Sequence, residues 1–112
     1  MVKNYVPDKG DVIWINFDPQ AGREQGRLRP ALVLSSIIYN EPAGLLIACP
    51  ITSKIKGFPF EVKISEGLNV EGVILTDHIK SMDWKVRGSS FICKLPDDVM
   101  EEVLMKIYSI IF

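Results

Sequence analysis

The stretch that decides the fold is "GDVIWINFDPQAGREQGRLRPALVLSS", Gly10 to Ser36. Val12–Phe17 is rich in β-branched and aromatic residues, the composition of a strand. Asp18–Arg29 is polar and full of turn formers, a long loop. Pro30–Ser36 returns abruptly to apolar residues and reads as a short buried strand. Two strands joined by a charged loop set the pattern for the rest of the chain. Leu45–Thr52, Phe60–Ile64 and Val73–Asp77 are further strands, and Phe60–Ile64 alternates apolar and polar residues as a half-buried strand does. Trp84–Val86 and Phe91–Leu95 read as two more. Tyr39–Gly44 and Ser65–Gly72 read as turns, and Ser53–Pro59 as a second basic loop.

The period changes at the C-terminus. Val99, Val103, Ile107 and Ile110, with Leu104 and Ile111, fall at helical spacing. Pro96, Asp97 and Asp98 mark a helix start, with acids near the positive end of the dipole. Asp98 and Glu101 have capping-box spacing. Six or seven short strands and one terminal helix predict a mainly β (α+β) fold, a small curled sheet or barrel. At 112 residues the chain suits a single domain spanning 1–112. A net charge of −1 argues against a general polyanion binder but leaves room for a local basic face. No apolar run approaches the roughly 20 residues of a membrane span. The N-terminal "MVKNYVPDKGD" lacks the apolar core of a signal peptide. The expected location is cytoplasmic, with Cys49 and Cys93 as buried thiols.

Charge is concentrated. Arg23, Arg27, Arg29, Lys54 and Lys56 stand against Glu24 and Glu41, whereas the terminal helix is acidic. If the two basic loops meet, they form a face that attracts phosphate. Arg29 precedes Pro30, and proline biases its predecessor to an extended conformation. A guanidinium held there suits two parallel bonds to a phosphate, or a salt bridge to a carboxylate. Glu24 is a general base or a charge balancer among arginines, which would lower its pKa. Thr52 either donates to a phosphate oxygen or caps a turn. His78 is the sole histidine, so one chain holds no imidazole pair. Lys80, Lys85 and Arg87 surround Trp84, which is a base-stacking residue or a core residue. No zinc pattern, phosphate-cradling glycine loop or dinucleotide fingerprint is present, and Asp77 and Asp83 form no recognised cluster, so neither metal nor cofactor is expected.

"GDVIWINFDPQAGREQGRLRPALVLS", "CPITSKIKGFPFEV" and "GVILTDHIKSMDWKVRG" resemble the MazF/PemK toxins of type II toxin–antitoxin pairs, particularly the MazF branch. The segments occur in family order and cover most of the chain. The resemblance implies an SH3-like β-barrel of the CcdB/Kid/MazF type with a C-terminal helix, working as a homodimer. It implies a metal-independent endoribonuclease that cuts single-stranded RNA, chiefly messenger RNA, at short motifs. The 2′-hydroxyl attacks the adjacent phosphorus, leaving a 2′,3′-cyclic phosphate and a 5′-hydroxyl. A MazE-like antitoxin would lay an extended tail across the RNA groove, and operator DNA would be reached only through that complex.

Residue by residue, the catalytic positions fall on Arg29, Thr52 and Glu24, and RNA contacts on Asn40, Lys56, His78, Lys80 and Arg87. Arg23, Arg27 and Lys54 join these as phosphate-attracting charges, with Asp77 beside them as a second candidate base. His78 stands where the family commonly has glutamine, and imidazole presents a different donor and acceptor pattern. Leu75 stands where the PemK-like branch has an assisting arginine. CcdB-type toxins share the fold without cleaving RNA, so an alternative is a non-catalytic poison of DNA gyrase. A degenerate relative that only binds antitoxin is a third reading.

Overall fold

The computed structural model describes residues 4–17 and 28–112. Strand β1 (Asp11–Asn16) pairs antiparallel with β2 (Leu28–Val33), with Ile15 opposite Arg29 and Trp14 opposite Pro30. β2 pairs with β3 (Leu46–Thr52), beginning only at Ala31, one residue past Pro30. The far edge of β3 is shared. Its start pairs with β6 (Lys80–Met82) and its end with β5 (Val73–Leu75). β4 (Glu61–Lys63) lies on β5, and β7 (Ser89–Lys94) on the outer edge of β1. The path β4–β5–β3–β2–β1–β7 therefore ends on two strands that do not pair with each other. The expected antiparallel sheet with a terminal helix is present; its sheet is open, so "barrel" describes its curl and not a closed ring.

Why the central strands read as apolar runs follows from their two covered faces. Val12, Leu32, Cys49 and Ile51 point to one side and are buried against Val99, Met100 and Val103 of α3 (Asp97–Ile111). Ile13, Ile15, Ala31, Val33, Leu46 and Ala48 point to the other and pack with Met82 and Trp84. Each fully buried aliphatic side chain contributes about 1.5–3 kcal/mol by leaving water. Together these layers hold β1, β2 and β3 as a stiff platform.

Three local expectations need correction, and one open choice, Trp84 as base-stacking or core, is decided for the core. Tyr39–Gly44 is not a turn but most of a short helix, α1 (Ile37–Ala43). Ser36 caps it by accepting from the N–H of Ile38 at 3.0 Å, and Gly44, at φ 70°, ends it. Pro42 falls in the last turn, which is why the segment resembles a turn in sequence. Trp84–Val86 is not a strand but lies in a single helical turn, α2 (Trp84–Arg87), and the strand in that region is β6 just before it. In α3 the capping box does not form: Pro96 is the N-cap, no side chain bonds to it, and Asp97 and Asp98 occupy the first turn. Trp84 is 5% exposed and its indole N–H donates to the carbonyl of Asn40 at 3.0 Å, so it is a core residue.

Candidate active site

Thr52 is the hinge of the site. It ends β3 opposite Val73 of β5, and two surface depressions share it as a wall. The first, about 380 Å³, is lined by Arg29, Pro30, Ser53, Glu71 and the exposed edge of Trp14. The second, about 240 Å³, is lined by Lys54, Lys56, Phe58, Phe60, Asp77 and His78. The sheet thus brings Arg29 and the Lys54–Lys56 segment to adjoining positions.

Arg29 reaches this surface from within β2, since the strand begins earlier than the sequence indicates. It is fixed by pairing with β1 as well as by Pro30. Its side chain stands on the exposed surface. Thr52 unites the two readings of its hydroxyl. Its Oγ1 accepts from the N–H of Lys54 at 3.1 Å, a turn-capping bond. That bond occupies a lone pair and leaves the hydroxyl hydrogen for donation. The backbone behind Thr52 is tightly fitted. Gly72 has φ +115°, and a Cβ there would lie 2.1 Å from the Thr52 carbonyl oxygen. Only glycine lets β5 approach β3 this closely.

In the second depression His78 Nε2 lies 3.7 Å from Asp77 Oδ1, an ion pair only when the imidazole is protonated. Below it Cys49 is buried, and its thiol is pushed up to about 12, by burial first and the Asp77 carboxylate second. A thiol so placed stays protonated at neutral pH and is no nucleophile. Cys93 is also free but only half-buried, so of the two expected buried thiols Cys49 alone is one; burial still raises the Cys93 thiol. Among the described residues no group of histidine, cysteine and acid side chains gathers as a metal site.

Other residues singled out in sequence lie elsewhere. Glu24, Arg23 and Arg27 are outside the described residues. Asn40 is fully buried: its Nδ2 donates to the carbonyls of Pro7 (2.8 Å) and Ser35 (3.0 Å), and its Oδ1 accepts from Ser35 Oγ at 2.6 Å. Asn40 therefore faces the interior, not the surface expected of an RNA contact, and braces α1. Lys80 is exposed on β6, its ammonium 5.6 Å from the Phe17 ring centroid. Arg87 is largely committed within the fold. Its Nε donates to Asp83 at 2.8 Å and its Nη1 to the carbonyls of Asn16 (3.1 Å) and Phe17 (3.2 Å), tying down the end of β1. Sequence reasoning missed Phe58, Phe60 and Glu61. The interleaving of aromatics with lysines that directs attention to Trp84 is also present in "KIKGFPFE", Lys54–Glu61, where the aromatics are exposed.

A family model described as PemK-like, MazF-like toxin of type II toxin–antitoxin system matches residues 8–111. The chain is 49% identical over 90 residues to the endoribonuclease toxin MazF of Escherichia coli K12, covering 80% of each. It superposes on the crystal structure of MazF from Deinococcus radiodurans with a TM-score of 0.86 and 51% identity, covering 96% of this chain and 97% of that one. A MazE–MazF crystal structure from the same organism matches with a TM-score of 0.86 and 46% identity, over 96% of each chain. By sequence and by fold, the chain belongs to the PemK-like, MazF-like toxins of type II toxin–antitoxin systems.

Proposed function

We propose that this protein is an endoribonuclease toxin that cuts single-stranded RNA, chiefly messenger RNA, and is neutralised by a MazE-like antitoxin. The observation that carries the reading is Thr52 as the common wall between the Arg29 depression and the Lys54–Lys56 depression. RNA laid along that line meets a guanidinium, a hydroxyl and two ammonium groups in succession. Support comes also from the similarity to MazF of Escherichia coli, an endoribonuclease.

In the proposed reaction the RNA 2′-hydroxyl attacks the adjacent phosphorus as the bond to the 5′-oxygen breaks, and the leaving oxygen takes a proton from water, giving a 2′,3′-cyclic phosphate and a 5′-hydroxyl. Glu24, taken from the sequence reading, accepts the 2′ proton. Arg29 stabilises the charge growing on the phosphoryl oxygens, and Thr52 donates to a non-bridging oxygen. Lys54, Lys56 and His78 hold the flanking nucleotide, and Lys80 adds to the positive surface. Arg23 and Arg27 attract phosphate from the segment between β1 and β2. Asp77 is the second candidate base.

The working unit is a homodimer, supported by Met105, Tyr108, Ile111 and Phe112, which α3 leaves exposed. The MazE–MazF structure supports an antitoxin partner of MazE type.

The test is to incubate purified protein with total RNA in excess chelator and sequence the new 5′ ends. Discrete 5′-hydroxyl ends at one short motif are expected. Intact RNA together with inhibited gyrase would replace this reading with the non-catalytic one.

A further inference from the structure

A carboxylate lines the basic depression, where it opposes the approach of RNA, and its bonds give it a purpose. Glu61 Oε2 accepts from the N–H of Lys56 at 3.2 Å, and Oε1 accepts from the N–H of Gly57 at 3.0 Å. Because both successive amides donate to one carboxylate, they turn toward one side and form a concave anion seat, and Gly57, at φ +80°, turns the chain that follows. The chain fills this seat with its own side chain. The far end of the same loop is anchored independently. Glu61 N–H donates to the Phe58 carbonyl at 3.1 Å, and the Phe60 carbonyl accepts from Thr76 N–H at 3.2 Å and Thr76 Oγ1 at 2.6 Å. Lys106 of α3 donates to the carbonyl of Pro59. The end of the loop that carries Lys54 and Lys56 is tied to that fixed end through the Glu61 carboxylate.

We propose that Glu61 is a positioning residue for RNA cleavage: by clamping the Lys56 and Gly57 amides it holds the lysine loop open beside Thr52. The inference rests on the endoribonuclease reading above. Glu61 itself touches no reacting atom. It works through the backbone that presents Lys54 and Lys56, so its loss weakens RNA binding more than chemistry.

The experiment compares wild type, Glu61→Ala and Glu61→Gln on an RNA oligonucleotide that contains the protein's own cut motif. Amide exchange by NMR and thermal melting are measured on the same samples. Glu61→Ala should raise KM about tenfold while kcat changes by less than about threefold. The Lys56 and Gly57 amides should exchange at least about tenfold faster, with amides of β1–β3 unchanged. Glu61→Gln keeps one acceptor oxygen and should fall between the two. Three results overturn the proposal while leaving the enzyme reading intact: equal KM in wild type and Glu61→Ala, tighter RNA binding by Glu61→Ala, or kcat and melting temperature falling together. A wild-type protein that leaves all RNA uncut overturns the function itself, and the positioning role with it.

Discussion

The two halves of the site are built by different physics. Arg29 stands on a strand that pairs with β1 at Arg29 itself and with β3 from Ala31 onward, and whose core faces are covered. Lys54 and Lys56 stand on a loop held by a few polar bonds: Thr52 to the Lys54 amide, Glu61 to the amides of Lys56 and Gly57, and Lys106 to Pro59. Position on the strand half is as secure as the sheet. Position on the loop half is separable from it. Chemistry that demands sub-ångström placement belongs on the first, and binding that must accommodate varied nucleotides suits the second.

The largest break is Arg29→Ala, which should cut kcat by about 10²–10³-fold with melting temperature unchanged, because a charge-stabilising donor is lost from an intact sheet. Arg29→Lys should restore little, since an ammonium lacks the planar fork. RNA cutting at the normal rate by Arg29→Ala would remove the strand half from the chemistry. Gly72→Ala comes next. Its Cβ would meet the Thr52 carbonyl at 2.1 Å on a backbone that side chains rarely adopt, costing about 2–4 kcal/mol of stability and displacing Thr52. Chemical denaturation measures the first and single-turnover cleavage the second; an unaltered protein would mean that β5 yields at its closest approach to β3. Lys106→Ala should act on the loop half alone, raising KM about threefold with about 1 kcal/mol lost from stability. A change in kcat without one in KM would show that the two halves are not separable.

The smallest effect is in acid. The hydrogen bond from Arg87 holds Asp83 below its ordinary 3.8, and the bond from the Ile37 amide does the same for Asp8. A carboxylate lowered in the folded state stabilises above its unfolded value, and that stability is lost as pH falls through the folded one. Melting temperature should therefore decline slightly below about pH 4, and less so in Asp83→Asn. A decline of the same size in that variant would remove the Asp83–Arg87 bond from the acid response.

What can be read in the sequence divides along similar lines. β1, β2, β3 and α3 are legible because each is long, strongly patterned and buried by its own apolar residues. The placement of Arg29 on a stiff junction is legible because Pro30 announces it, and that of Thr52 at a strand end because it closes an apolar run ahead of lysines. α1 and α2 are not, since they are short and exist through contacts made far along the chain, such as Trp84 to Asn40. β6 is three residues that become a strand only against the edge of β3. Glu61 carries no local sign at all. Its clamp is visible only once the chain has turned back on Gly57. Asn40 shows the opposite case: its burial and its bonds to Pro7 and Ser35 carry no sign in the sequence, where a polar residue beside Glu41 and Pro42 reads as surface.

The pairing of β1 with β7 sets a condition on synthesis. Asp11 finds its partner in Lys94, so the outer edge of the strand that supports Arg29 stays bare until β7 has left the ribosome. A truncated product would carry the arginine and the threonine yet lack the strand and helix that complete their platform. The platform under the arginine is therefore completed only by the last strand and helix of the fold, β7 and α3.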